Sequence, residues 1–180
     1  MNFQVEHWGG VLLLTSIAAI TDFRTGKIPN WLTLPGALAG LGYSVVAHGT
    51  QGLWLSVLGL LICFLVPAIV YWSSKGRAIG GGDLKLFALL GAWLGPSAGL
   101  ELQLTAFVFV MVLAFVQLTW RGKLLGVLKN SLWLTVNSLR KQEERRALAP
   151  ELLTELRMGP CIWLATLGYA LLELQSSGVV

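Results

Sequence analysis

Charge is what this sequence has least of: Asp, Glu, Lys and Arg together make up 12% of its 180 residues, about half the share of an ordinary soluble domain. Set beside 55% hydrophobic residues, that scarcity argues against a water-soluble globule and for a chain embedded in a bilayer. Cysteine is nearly absent too. Cys63 and Cys161 sit inside apolar runs with no CxxC spacing, so neither a zinc site nor a disulfide framework is indicated, and both read as small buried apolar residues. No Lys or Arg precedes Arg24. The positive n-region of a cleaved secretory signal is therefore missing, and the first apolar segment is expected to stay in the mature protein. Aspartate occurs only twice, as Asp22 and Asp83.

Six apolar segments account for most of the chain: residues 5–21, 31–47, 53–72, 84–94, 99–120 and 160–174. The first three have the length of a spanning helix. The fourth ends at Gly95-Pro96 and covers only about half of a hydrocarbon core roughly 30 Å thick. The expected fold is all-α: a polytopic membrane helix bundle of about six transmembrane helices. It forms a single membrane-embedded domain over residues 1–180, with a cytoplasmic loop at 121–158. In that loop Leu125, Leu128, Leu132, Val136 and Leu139 recur at helical spacing, which predicts an interfacial helix on the inner membrane surface after the fifth span.

Threading the segments back and forth puts residues 22–30, 73–83 and 121–158 on one side, together with the start of the fourth segment at Lys85, and all 13 Lys and Arg fall there. The other side receives Glu6, His7, His48, Glu101 and Glu173 and no cation. Cytoplasmic loops collect Lys and Arg, so both termini are expected outside and the basic loops in the cytoplasm. The net charge of +4 is then a topology signal and not a nucleic-acid footprint; the bilayer is the expected partner. Trp8, Trp31, Trp54, Trp72, Trp93 and Trp120 fall near segment ends, as an aromatic belt would have them.

Both aspartates belong to cytoplasmic segment ends. A carboxylate at membrane depth costs about 2.5–3.5 kcal/mol on insertion scales, so it usually faces a bundle interior or a water-filled cavity. Asp22 follows the first segment, before a loop closing with Pro29-Asn30; Pro29 breaks the helix and Asn30 is placed to cap the next. Asp83 follows Gly80, Gly81 and Gly82, where missing side chains allow a tight turn and close approach of another chain. Taken singly, Asp83 reads equally as a helix cap and Asp22 as the end of a solvated turn. Taken together, two carboxylates on one membrane face suit acid and base work on a peptide bond, one ionised to activate water and one protonated toward the carbonyl oxygen. Lys85 would favour an ionised carboxylate, bind a substrate carbonyl, or reach out to anionic headgroups. His7 and His48 lie on the opposite side, so no metal and no histidine base is expected; nor is a cofactor.

The stretch Asp22-Phe23-Arg24-Thr25-Gly26-Lys27-Ile28-Pro29-Asn30 resembles the first block of type IV prepilin peptidases. Gly80-Gly81-Gly82-Asp83-Leu84-Lys85-Leu86 resembles their second, which holds the GxGD signature of membrane aspartic proteases. The resemblance implies a hydrolase that removes the short basic leader of a pilin precursor at the cytoplasmic membrane face, with Asp22 and Asp83 as catalytic dyad and Gly80, Gly81, Gly82 and Lys85 as its supporting motif. It implies a bacterial inner-membrane location, a prepilin substrate and other pilus assembly proteins as partners. The short members that serve tight-adherence (Flp-type) pili look most similar. Larger members carry paired CxxC motifs and methylate the new N-terminus; this chain has no CxxC, so methyltransferase activity is not expected. Two alternatives stay open: a GxGD protease with a different membrane substrate, and a noncatalytic membrane subunit of a secretion or pilus assembly.

Overall fold

The computed structural model describes residues 3–76, 79–120 and 158–176. Regular structure within them is helical: α1 (Phe3–Thr25), α2 (Asn30–Ser73), α3 (Gly81–Trp120) and α4 (Gly159–Ser176). Two of these helices are broken by glycines of positive φ, Gly49 (φ 63°, ψ −145°) in α2 and Gly95 (φ 76°, ψ −175°) in α3. Such angles lie outside the helical region and are open to glycine at no steric cost. The apolar segments read from the sequence are thus joined pairwise, with a single glycine and not a loop between residues 30–48 and 50–73 and between 81–94 and 96–120. Two helical stretches, Asn30–Ser73 and Gly81–Gln117, are long and apolar enough to cross a membrane. The interfacial helix expected after residue 120 lies outside the described residues.

The chain divides into two units, residues 1–109 with 157–180, and residues 110–156. Of the second, residues 110–120 are described, as the end of α3. In the first, α1 and α4 run antiparallel. Asp22 meets Gly159, Trp163 donates its indole N–H to the Ser16 hydroxyl at 2.8 Å, and the rings of Trp8 and Tyr169 lie 5.7 Å apart.

Small residues make the contact face of α2: Gly36, Gly40, Ser44, Gly52, Ser56 and Gly59 are buried. In lipid no hydrophobic drive pulls helices together, so close backbone packing over small side chains takes its place. Gly59 and Gly91 abut with no room for a Cβ on either, and the Ser56 hydroxyl donates to the Ala92 carbonyl. Large apolar side chains point outward, among them Leu38, Val46 and Ile69. Small residues inside and large apolar ones outside are the pattern of a helical membrane protein.

Residues 81–94 lie at the centre. Leu86, Phe87, Leu89, Leu90 and Ala92 are buried, so most of the faces of this stretch pack against the rest of the chain, while Gly81 and Lys85 at its start are exposed. Trp93 departs from the aromatic-belt expectation. Its indole N–H donates to the Gly36 carbonyl at 2.8 Å, its ring stacks on Tyr43 at 5.6 Å, and it fills the space that Cβ atoms on Gly10 and Gly40 would occupy. Trp93 is half-buried and Trp8 is buried, whereas Trp31, Trp54 and Trp72 are exposed.

Candidate active site

α1 extends beyond its expected end at residue 21, through Thr25, so Asp22 projects from the last helical turn and not from a loop. Gly26, at φ 67°, closes the helix by donating its N–H to the Asp22 carbonyl at 2.8 Å, the left-handed C-terminal cap for which glycine is suited. The Asp22 side chain is 7% exposed. Its Oδ2 accepts the N–H of Gly159 at 2.9 Å, the first residue of α4. First-turn amides have no partner within their own helix and carry the positive end of its dipole, so the carboxylate completes α4. A Cβ on residue 159 would stand 2.7 Å from both Cβ and Oδ2 of Asp22; glycine alone fits without displacement.

α3 starts at Gly81, so two of the three glycines expected in the loop are already helical, and none of the three has positive φ. Asp83 reaches back so that its Oδ2 accepts the Gly80 N–H at 3.3 Å, as the acid of a capping box does. The capping role and burial coexist, since Asp83 is 8% exposed. The glycines serve approach and not a turn. A Cβ on Gly80 would lie 2.9 Å from Asp83 Oδ2, and one on Gly82 would lie 3.0 Å from Ile28 Cβ. Ile28, itself buried, thus seats the α1–α2 connection on the start of α3. Asp83 lies within electrostatic reach of Asp22. Gly81 faces open space, and nothing in the structure explains it.

Lys85 donates its Nζ to Asn30 Oδ1 at 2.7 Å in an exposed hydrogen bond. Among the described residues its partner is Asn30 and neither carboxylate. Asn30 in turn does not cap α2; Pro29 holds that position with extended backbone (φ −76°, ψ 144°) and no side-chain bond. Lys85 and Asn30 instead tie the first turns of α3 and α2 together. His48 lines a separate cavity of about 220 Å³ beside Gly95 and Pro96.

Two site residues escaped the sequence reading. Gly159 holds Asp22, and the buried thiol of Cys161 lies within electrostatic reach of both aspartates. Gly159-Pro160 does stand at the head of the last apolar run, but nothing local connects it with an aspartate 137 positions earlier. Beside this site an open groove of about 610 Å³ runs between α1 and α4. Ser16, Ala19, Ile20 and Phe23 form one wall, Pro160 and Trp163 the other, and Arg24 stands at one end.

Comparison with known proteins gives one family: the model of the type IV leader peptidase family matches residues 10–116, a span that contains both aspartates. A prepilin leader peptidase/N-methyltransferase of Pectobacterium carotovorum subsp. carotovorum is 37% identical over 122 residues, 64% of this chain and 42% of the relative. A protein of the same description from Burkholderia pseudomallei (strain 1026b) is 40% identical over 116 residues, 62% of this chain and 36% of its own. One from Klebsiella pneumoniae is 41% identical over 96 residues, 50% of this chain and 42% of its own. The matched regions therefore span less than half the length of these curated relatives. No solved structure matches.

Proposed function

The chain belongs to the type IV leader peptidase family, and on that premise we propose that it is a membrane aspartic endopeptidase that cuts the basic leader from Flp-like type IV prepilins. What supports the proposal is that its only two aspartates stand at the ends of helices from separate parts of the chain, are each under 9% exposed, and lie within electrostatic reach of one another.

Two carboxylates in one buried site share a proton and titrate as a pair. The ionised member takes a proton from water as the water oxygen attacks the scissile carbonyl carbon. The protonated member donates to the carbonyl oxygen while negative charge grows there. Collapse of the tetrahedral intermediate breaks the C–N bond, and the leaving amine takes up the proton that the first carboxylate drew from water, which restores the pair. No covalent intermediate forms. Gly159, bonded to Asp22 Oδ2, orients that carboxylate, while Gly80 orients Asp83.

The breaks at Gly49 and Gly95, together with the apolar outer surface, support six helical crossings, with both termini outside and the dyad toward the cytoplasm of a bacterial inner membrane. The basic residues on one side of that threading support the same orientation. Methyl transfer forms no part of the proposed activity, since the paired CxxC motifs of the larger family members are missing.

The test is processing of a candidate prepilin by purified chain in lipid vesicles, with product mass locating the cut. Asp22→Asn and Asp83→Asn should each abolish cleavage while the protein still inserts. Normal cleavage by either variant removes the dyad from the reaction.

A further inference from the structure

We infer that the cavity at the two helix breaks, lined by Ser44, His48 and Ser97, binds a phosphate group, presented by the headgroup of a membrane lipid. This site is independent of the endopeptidase reading, since it lies away from the aspartates: Gly95 stands about 18 Å along α3 from Asp83, at 1.5 Å per residue.

The backbone prepares the cavity, which holds about 220 Å³. Gly49 interrupts α2 and Gly95 interrupts α3, so two helical stretches start afresh here, one with Gly52 on the lining and the other with Pro96 and Ser97. Pro96 takes the first position after its break, where the missing N–H of proline costs nothing. The amides that follow belong to a first turn, which has no carbonyl partner in its own helix and carries the positive end of the dipole. Two carbonyls of the preceding stretches, which would oppose an anion, are covered. That of Ala92 accepts the Ser56 hydroxyl, and that of Ser44 lies so close against Gly52 that no Cβ fits there.

Side chains point to the ligand. Ser44 lines the cavity and is 8% exposed. Other serines in these helices return their hydroxyls to a carbonyl about one turn back, as Ser16 does to Leu12 and Ser73 to Val70. Among the described residues the Ser44 hydroxyl has no hydrogen-bond partner. A buried hydroxyl left unpaired is costly, so this one is set to meet a group that enters the cavity. His48 lies one turn beyond Ser44, on the same helix face, and brings its imidazole to the lining; Ser97 adds a second hydroxyl. No lining residue is acidic. A cation therefore finds no carboxylate, whereas an anion finds hydroxyls, an imidazole and first-turn amides. Position selects the source. In the proposed orientation this end of the bundle faces outside, at headgroup level, where exposed Trp54 suits the interface. Leu55, also exposed, and Leu94 line the cavity beside the donors. Free phosphate uses the donors alone, whereas a lipid uses the donors and the apolar rim.

Native mass spectrometry of the full chain in detergent micelles tests the site. The probes are phosphatidylglycerol, diacylglycerol, which lacks the phosphate, and inorganic phosphate. Phosphatidylglycerol should bind about tenfold more tightly than diacylglycerol, and Ser44→Ala and His48→Ala should each weaken it about tenfold. His48 is exposed, so its replacement probes the site without disturbing the fold. His48→Gln, which keeps an N–H donor, should bind within about threefold of wild type. Ser73→Ala, at the far end of α2 with its hydroxyl on Val70, should match wild type. Inorganic phosphate that binds with the same variant dependence while phosphatidylglycerol does not would keep the phosphate site and overturn the lipid as its source. Equal binding of diacylglycerol and phosphatidylglycerol, or wild-type affinity in both Ser44→Ala and His48→Ala, overturns the site itself.

Discussion

Replacing Gly159 by alanine should stop most catalysis while leaving the fold intact. The added Cβ would stand 2.7 Å from Asp22 Cβ, 2.7 Å from its Oδ2 and 3.1 Å from its Cγ, where carbon atoms in ordinary contact keep about 3.5–4.0 Å apart. The deficit is about 1 Å. Rotating the carboxylate does not relieve it, because Cβ of Asp22 is fixed to the backbone of α1. Either the head of α4 or the aspartate must move, and each move shifts the Asp22 carboxylate from the place where the Gly159 N–H holds it. A displacement of about 1 Å in a reacting group costs about 100-fold in rate, equivalent to about 2.7 kcal/mol of barrier. Overpacking itself costs about 1–3 kcal/mol of stability. Gly168→Ala is the matched control: it lies in the same helix, nothing stands within 4 Å of its added Cβ, and alanine favours the helix by about 1 kcal/mol. In a vesicle assay with a processed precursor, Gly159→Ala should lower kcat about 100-fold with KM within about twofold, and Gly168→Ala should match wild type. Full activity in Gly159→Ala would show that the Gly159–Asp22 contact does not set the catalytic geometry.

Other outcomes follow from the same contacts. Gly82→Ala places a Cβ 3.0 Å from Ile28 Cβ, and so should lift the α1–α2 connection off α3 and slow processing about tenfold in the same assay; an unchanged rate would mean that this seat does not position Asp83. Lys85→Ala removes an exposed bond to Asn30, so thermal stability should change by about 1 kcal/mol or less and processing should persist; complete loss would assign Lys85 a role at the substrate. The rate of processing should be bell-shaped in pH, falling in acid when both carboxyls are protonated and in alkali when both are ionised. A profile with a single limb, measured as kcat across the range in which the vesicles remain intact, would contradict a shared-proton pair.

The sequence alone determined the solvent and the candidate chemistry. Few charges and long apolar runs leave lipid as the medium in which this chain can hide its backbone, and in lipid that requires helices. Two aspartates in so apolar a chain stand out as candidates, since a carboxylate at membrane depth is costly. The helix ends were less legible. α1 runs on past Asp22 because Gly26, and not the aspartate, stops it, and α3 starts inside the glycine run because those glycines are needed for approach to Ile28 and Asp83. Asn30, read as a cap, was claimed by Lys85 instead.

Tertiary structure decided what surrounds the two aspartates. The Gly159 amide, the Cys161 thiol, the groove beside them and the inward turn of Trp93 all depend on which helix faces which. Small-residue stripes along α2 allow close packing but name no partner. That choice is made by shape across the bundle, where a Cβ on Gly59 would strike Gly91 and Gly95 and one on Gly159 would strike Asp22. Composition and local pattern carry no record of such long-range fits, because each is a property of two surfaces that meet only once the chain has folded.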